Sequence, residues 1–170
     1  MRTQLQVLAA RFNRFDQWLS NRLGRLGPPL LRLAMVVVFI GFGVLKPLGV
    51  SPAEPLVLAT ADAMRPLMPV ALAPATFLHI VGWWEVAIGL CLLWRPLIRV
   101  AIPLLFAQMA GTFMPLVLLP ELCYQPDSFA PTMEGQYILK NLVLIGAALV
   151  VGGTVRATDE AEVGGRTDHG

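Results

Sequence analysis

The chain has 170 residues, 56% of them hydrophobic and 14% charged, with a mean hydropathy of +0.66 and a formal net charge of +2. A soluble domain carries about 25% charged residues. The deficit and the long apolar runs exclude an ordinary water-soluble enzyme and predict an all-α, polytopic membrane protein of one compact domain.

From Gln4 to Leu26 the pattern predicts an amphipathic helix. Leu5, Leu8, Phe12, Phe15, Leu19, Leu23 and Leu26 share one stripe, with Arg11, Arg14, Arg22 and Arg25 to its side. That composition suits a helix lying in the interface of a membrane that contains anionic lipids. It argues against nucleic acid as the partner of these arginines, because a duplex would leave the stripe unburied. Gly27-Pro28-Pro29 is expected to end the helix and close a basic N-terminal segment, 1–29. The first spanning helix is expected over 30–50, close to the ~20 residues a bilayer core requires. Ser51, Pro52 and Glu54 have the spacing of a capping box and open a short helix that should stop before Arg65-Pro66.

Further spans are expected over 76–94, 97–119 and 134–155, giving a four-transmembrane-helix bundle over 30–155. Arg95-Pro96 separates the second and third, and a proline-rich loop over 120–132 separates the third and fourth. Residues 156–170 read as a polar, disordered tail. Arg2, Arg11, Arg14, Arg22, Arg25 and Arg32 lie before or at the start of the first span. Arg95 and Arg99 fill the second turn and Arg156 follows the last span, so both termini are expected on the cytoplasmic side.

Glu85 stands out, because a carboxylate in an apolar helix must meet an opposite charge, meet water, or take up a proton. Gly82 and Gly89 share its helix face and would let a neighbouring helix approach closely. With the predicted topology, Glu85 lies roughly 13 Å and Lys140 roughly 9 Å from the outer ends of their spans. Lys46 lies within about one turn of its own outer end, and Gln108 and Thr112 fall at similar depths. These positions predict a buried polar cluster of Lys46, Glu85, Gln108, Thr112 and Lys140. Lys140 is the first choice of partner for Glu85, because it lies deeper than Lys46. The alternative is that each lysine snorkels to the interface and Glu85 is protonated.

Trp83 and Trp84 lie deep enough to line a ligand cavity, with His79 near the face of Glu85. Two distant histidines, His79 and His169, supply no metal ligand set. Cys91 and Cys123 are expected on opposite sides of the membrane, without a CxxC motif or an intrachain disulfide.

Four stretches also carry a resemblance. Phe39-Ile40-Gly41-Phe42-Gly43-Val44-Leu45-Lys46 with Ser51-Pro52-Ala53-Glu54-Pro55-Leu56 resembles the first-helix motif of the DoxX-like family. Glu85-Val86-Ala87-Ile88-Gly89-Leu90 is similar to its second, and Gln108-Met109-Ala110-Gly111-Thr112 with Pro115-Leu116-Val117-Leu118-Leu119-Pro120 to its third. Glu134-Gly135-Gln136-Tyr137-Ile138-Leu139-Lys140-Asn141-Leu142-Val143-Leu144 resembles the fourth. The match keeps its order over 30–155 and puts Lys46, Glu85, Gln108 and Lys140 at the motif positions.

The resemblance implies a small four-helix protein of the bacterial cytoplasmic membrane. Members are associated with thiosulfate oxidation in which quinone takes up the electrons, or with oxidant and thiol stress in complexes with partner enzymes. The expectation is therefore a non-catalytic subunit of a redox- or stress-related complex. It would have no cofactor of its own, and its partner would be a redox enzyme or a second copy. A quinone-linked oxidoreductase subunit, with quinone near Trp83, Trp84 and Glu85, is the alternative. A small proton-coupled transporter is the second alternative.

Overall fold

The computed structural model describes the backbone of residues 2–67 and 72–167, and the side chains of 6, 11–66 and 72–155. Among them the chain is helical, and four helices are long and apolar enough to cross a membrane. Helix α1 runs over Arg2–Leu45 and α2 over Glu54–Met64. Helix α3 covers Pro74–Leu93, with Pro74 in its first turn, where the missing N–H costs nothing. A 3₁₀ turn at Arg95–Leu97 reverses the chain into α4, Ile98–Phe113.

Pro115 cannot donate a backbone hydrogen bond, so the third long helix tightens at Met114, whose N–H bonds Gly111 O at 3.2 Å. The chain then continues as the single turns α5, Pro115–Leu118, and α6, Pro120–Cys123. Helix α7, Met133–Lys140, is capped by Thr132, whose hydroxyl accepts from Gly135 N–H at 3.2 Å. One residue, Asn141, separates α7 from α8, Leu142–Thr167.

Two expectations about helix ends differ from what is observed. Gly27-Pro28-Pro29 does not end the first helix, and both prolines lie inside α1. Proline fixes a φ that a helix accepts, and Gly27 has no Cβ to clash with the ring that follows it. The stretch read as a disordered tail carries α8 on as far as Thr167. No proline follows Pro131, and Ala157, Glu160, Ala161 and Glu162 are good helix formers. The side chains of Arg2, Leu5, Leu8, Arg156 and His169, which entered the sequence reading, lie outside the described set.

The long helices form an antiparallel ring. Helix α1 packs on α3 and α8, and α4 closes the ring by packing on the same two. Helix α3 therefore sits diagonally across from α8. One half of the ring is an apolar core in which Met35, Phe39, Ile88, Leu92, Leu105 and Val151 are buried. Ala101, Ala147 and Ala148 are buried with them and hold the helices close. The other half, next to α2 and the 120–132 loop, contains Lys46, Glu85 and Gln108.

The tightest seam joins α1 to α3, and glycine makes it. A Cβ added at Gly82 would stand 2.8 Å from Gly43 O and 2.7 Å from Pro47 Cδ. One added at Gly43 would stand 2.9 Å from Gly82 O. The backbones touch there because neither residue has a side chain. Gly43→Ala and Gly82→Ala should each destabilise the bundle by about 1–3 kcal/mol, as overpacking does. Gly41, on the same helix, has open space around it. Gly41→Ala should instead be neutral or stabilise by ~0.5–1 kcal/mol through helix propensity. Thermal unfolding in a mild detergent separates the three, and equal effects at 41 and 82 would contradict the seam.

Candidate functional site

The site begins with the way α1 ends. Gly49 adopts φ +69°, a left-handed conformation that glycine takes without penalty. Gly49 N–H bonds Lys46 O at 3.1 Å and Val50 N–H bonds Leu45 O at 3.1 Å. That paired pattern is a Schellman motif, and it closes the helix one turn after Gly43. Lys46 is thereby held on the α3 side, with its Cβ over Gly82.

Glu85 lies one turn along α3 from Gly82. Its Oε2 accepts a charge-assisted hydrogen bond from Lys46 Nζ, and its Oε1 accepts one from Gln108 Nε2 of α4 at 3.0 Å. The Lys46 and Glu85 side chains are 6% and 14% exposed, so water does little to screen the pair. Among the described residues, no buried side-chain nitrogen or oxygen lacks a partner. Thr112 stands one turn beyond Gln108 and donates from its hydroxyl to Gln108 O at 3.0 Å. It therefore touches the cluster through the α4 backbone.

Lys140, the expected first partner of Glu85, is elsewhere. It is exposed at the end of α7, with its ammonium 4.9 Å from the Tyr137 ring centroid. Depth along a helix says nothing about direction around the bundle, and α3 faces the α7–α8 rod only across a diagonal. Lys46 stands in the turn that ends the neighbouring helix α1 and reaches the carboxylate directly.

The expected cavity lining also moves. His79 is exposed, Trp83 is 59% exposed, and Trp84 lies on the outside with its indole N–H donating to Leu104 O at 3.1 Å. At about 100° per residue, Trp84 and Trp83 point about 100° and 160° away from Glu85. Glu85 faces inward, so the tryptophans face outward.

Sequence reasoning missed Gly43. It precedes Lys46 by three residues as Gly82 precedes Glu85, and that matched spacing was the available signal. The Ser51 cap also differs in detail: Ser51 Oγ accepts from Ala53 N–H at 3.3 Å and α2 starts at Glu54.

At the loop end of the bundle Cys123 is fully buried, and a Cβ at Gly135 would collide with its carbonyl. Burial pushes the Cys123 thiol up, and Glu134 and Glu121 add to the shift. Cys91 packs beside the apolar core, and both thiols are free. Among the described residues, no three His, Cys, Asp or Glu side chains gather as a metal site would need. Comparison with protein-family models, curated proteins and solved structures finds no match for the chain.

Glu85→Gln leaves the Lys46 charge buried without its counter-ion, a change that costs about 3–5 kcal/mol. Lys46→Met in the same chain should recover a large part of that loss. Lys140→Met should not, since its ammonium lies at the surface against the Tyr137 ring. Denaturation of the single and double variants in detergent gives the coupling energies, and coupling of Glu85 to Lys140 would contradict the geometry. The Cys123 thiolate is disfavoured, so thiol reagents at neutral pH should modify native Cys123 far more slowly than an exposed cysteine. Rapid labelling of Cys123 in the folded protein would be the contrary result.

Proposed function

We propose that the chain is a multi-pass component of the bacterial cytoplasmic membrane, with both termini in the cytoplasm, acting as a non-catalytic subunit of a redox- or stress-related complex. Insertion is supported by the exterior of the bundle as well as by helix length. Val37, Leu90, Val100, Val143 and Leu149 all point outward on the long helices. An outside this apolar, around a core that includes buried alanines, fits hydrocarbon as its solvent. The orientation is supported by arginines at one end of the ring, Arg32, Arg95 and Arg99, against acidic loops at the other.

The observation that carries the non-catalytic reading is that both Glu85 oxygens are held by protein donors. One carboxylate oxygen is engaged by Lys46 in the turn that ends α1 and the other by Gln108 of α4, so the residue ties three helices together. A general acid or base has to present an oxygen to a reacting proton. The complex itself, and the redox or stress setting, come from the DoxX-like resemblance. That membership is part of the proposal.

Purification from native membranes in mild detergent should bring down a partner enzyme at fixed stoichiometry. Bound quinone in the purified protein would favour the oxidoreductase alternative, and proton flux into vesicles the transporter. The topology has its own test. Phe129, 97% exposed in the 120–132 loop, can be replaced by cysteine, as can Trp94 at the opposite turn. A membrane-impermeant maleimide should label Phe129→Cys in intact cells and Trp94→Cys only after permeabilisation. The reverse pattern would invert the orientation.

A further inference from the structure

Helix α1 is much longer than a bilayer requires. Its 44 residues extend about 66 Å, of which the bundle uses the part after Leu30. Residues 11–27 are exposed all round, and Phe12, Phe15, Leu19, Leu23 and Leu26 still form one apolar stripe along them. Arg11, Arg14, Arg22 and Arg25 flank that stripe against one acid, Asp16, and the Arg22 guanidinium stacks 5.6 Å from the Trp18 ring centroid. A straight rod would hold this stripe in water.

The register of the stripe with the rest of α1 is informative. At about 100° per residue, the stripe is centred roughly 145° around the helix from the bundle-facing side, defined by Met35, Val36, Phe39 and Gly43. It continues the outward line of Leu30, Leu33 and Val37. Pro28 and Pro29 together lie roughly on the bundle-facing side. Neither can donate to the carbonyls of Gly24 and Arg25, so two backbone bonds are lost between the arm and the span. A proline ring crowds the carbonyl one turn before it, which opens that face and bends the helix toward the other. Here the favoured bend is outward, over lipid. A bend of about a right angle in that sense turns a stripe on the outward side down into the membrane.

We infer that Gly27-Pro28-Pro29 is a hinge that lets residues 11–26 lie along the cytoplasmic face of the membrane, with the stripe in the acyl boundary and the arginines on anionic headgroups. This rests on the proposed spanning of the membrane by the bundle. Anionic lipid is the occupant because the apolar face is flanked by net positive charge, and because the bend that the prolines favour turns that face toward lipid.

The test uses the full chain, with Cys91→Ala and Cys123→Ala, in vesicles of phosphatidylcholine with or without phosphatidylglycerol. Spin labels on Asn13→Cys and Phe42→Cys should be about 44 Å apart if α1 is straight and about 31 Å apart after a right-angle bend at residue 28. The shorter distance should dominate in anionic vesicles and recede in neutral ones or at high salt. Each arginine changed to glutamine should lower the lying-to-upright ratio about fivefold. Pro28→Ala with Pro29→Ala should shift the distribution toward the longer distance.

A distance near 44 Å in anionic vesicles, with the label at 42 accessible to lipid-dissolved oxygen, overturns the hinge alone. A label at 42 that meets only water-soluble relaxant overturns the spanning reading, and the hinge with it. Equal distributions in anionic and neutral vesicles overturn the assignment to headgroup charge. Dipolar broadening from a single label at Leu19→Cys that disappears on dilution with unlabelled protein gives the stripe to a second copy, and overturns the lipid assignment.

Discussion

The Glu85 carboxylate meets the Lys46 ammonium in the bundle, and the packing of α1, α3 and α4 converges on that pair. Lys46 reaches Glu85 only because α1 and α3 meet backbone to backbone at Gly43 and Gly82. The Schellman turn at Gly49 fixes where α1 stops, and so where the lysine stem starts. A surface ion pair contributes little, about 0–1 kcal/mol. A buried one whose partner is removed costs several times that, because the charge left behind has no water to turn to. The pair joins α1 to α3, and Gln108 ties the same carboxylate to α4.

The bundle divides into two halves with different packing rules. Where Met35, Ile88, Leu92 and Leu105 meet, apolar side chains interlock around small alanines. Where Lys46, Glu85 and Gln108 meet, hydrogen bonds set the register. Beyond the polar half, Thr132 and buried Cys123 fasten the loop onto α7: Thr132 donates to Leu122 O at 2.6 Å, and its own N–H bonds Cys123 O at 2.9 Å. At the opposite end, Arg32 donates to the terminal carbonyl of α3, Leu93 O, at 3.3 Å, and closes the α1–α3 seam.

Much of this was legible in the sequence, and the failures have a common cause. Length and hydropathy located the long apolar helices, and the spacing of Gly82, Glu85 and Gly89 marked the face that α1 covers. Depth brought Lys46, Glu85 and Gln108 together. Depth is a single coordinate, however, and it ranks Lys140 above Lys46 although Lys140 ends α7, which leads into the helix diagonal to α3. The same blindness to azimuth put Trp83 and Trp84 in a cavity. Counting residues from inward-facing Glu85 turns both outward. Gly27-Pro28-Pro29 reads as a stop because proline removes donors, but a lost donor weakens a helix without ending it. At the far end, Ala157 to Glu162 contain no residue that forces a break.

The arrangement of the bundle turns on which lysine holds Glu85, and the chain has two, Lys46 and Lys140. Solid-state NMR on the protein in lipid, with 15N on lysine Nζ and 13C on glutamate side chains, reads the contact directly. A through-space correlation between an ammonium and a carboxylate should persist in Lys140→Arg and disappear in Lys46→Arg. A correlation lost with Lys140 and kept without Lys46 would contradict the account.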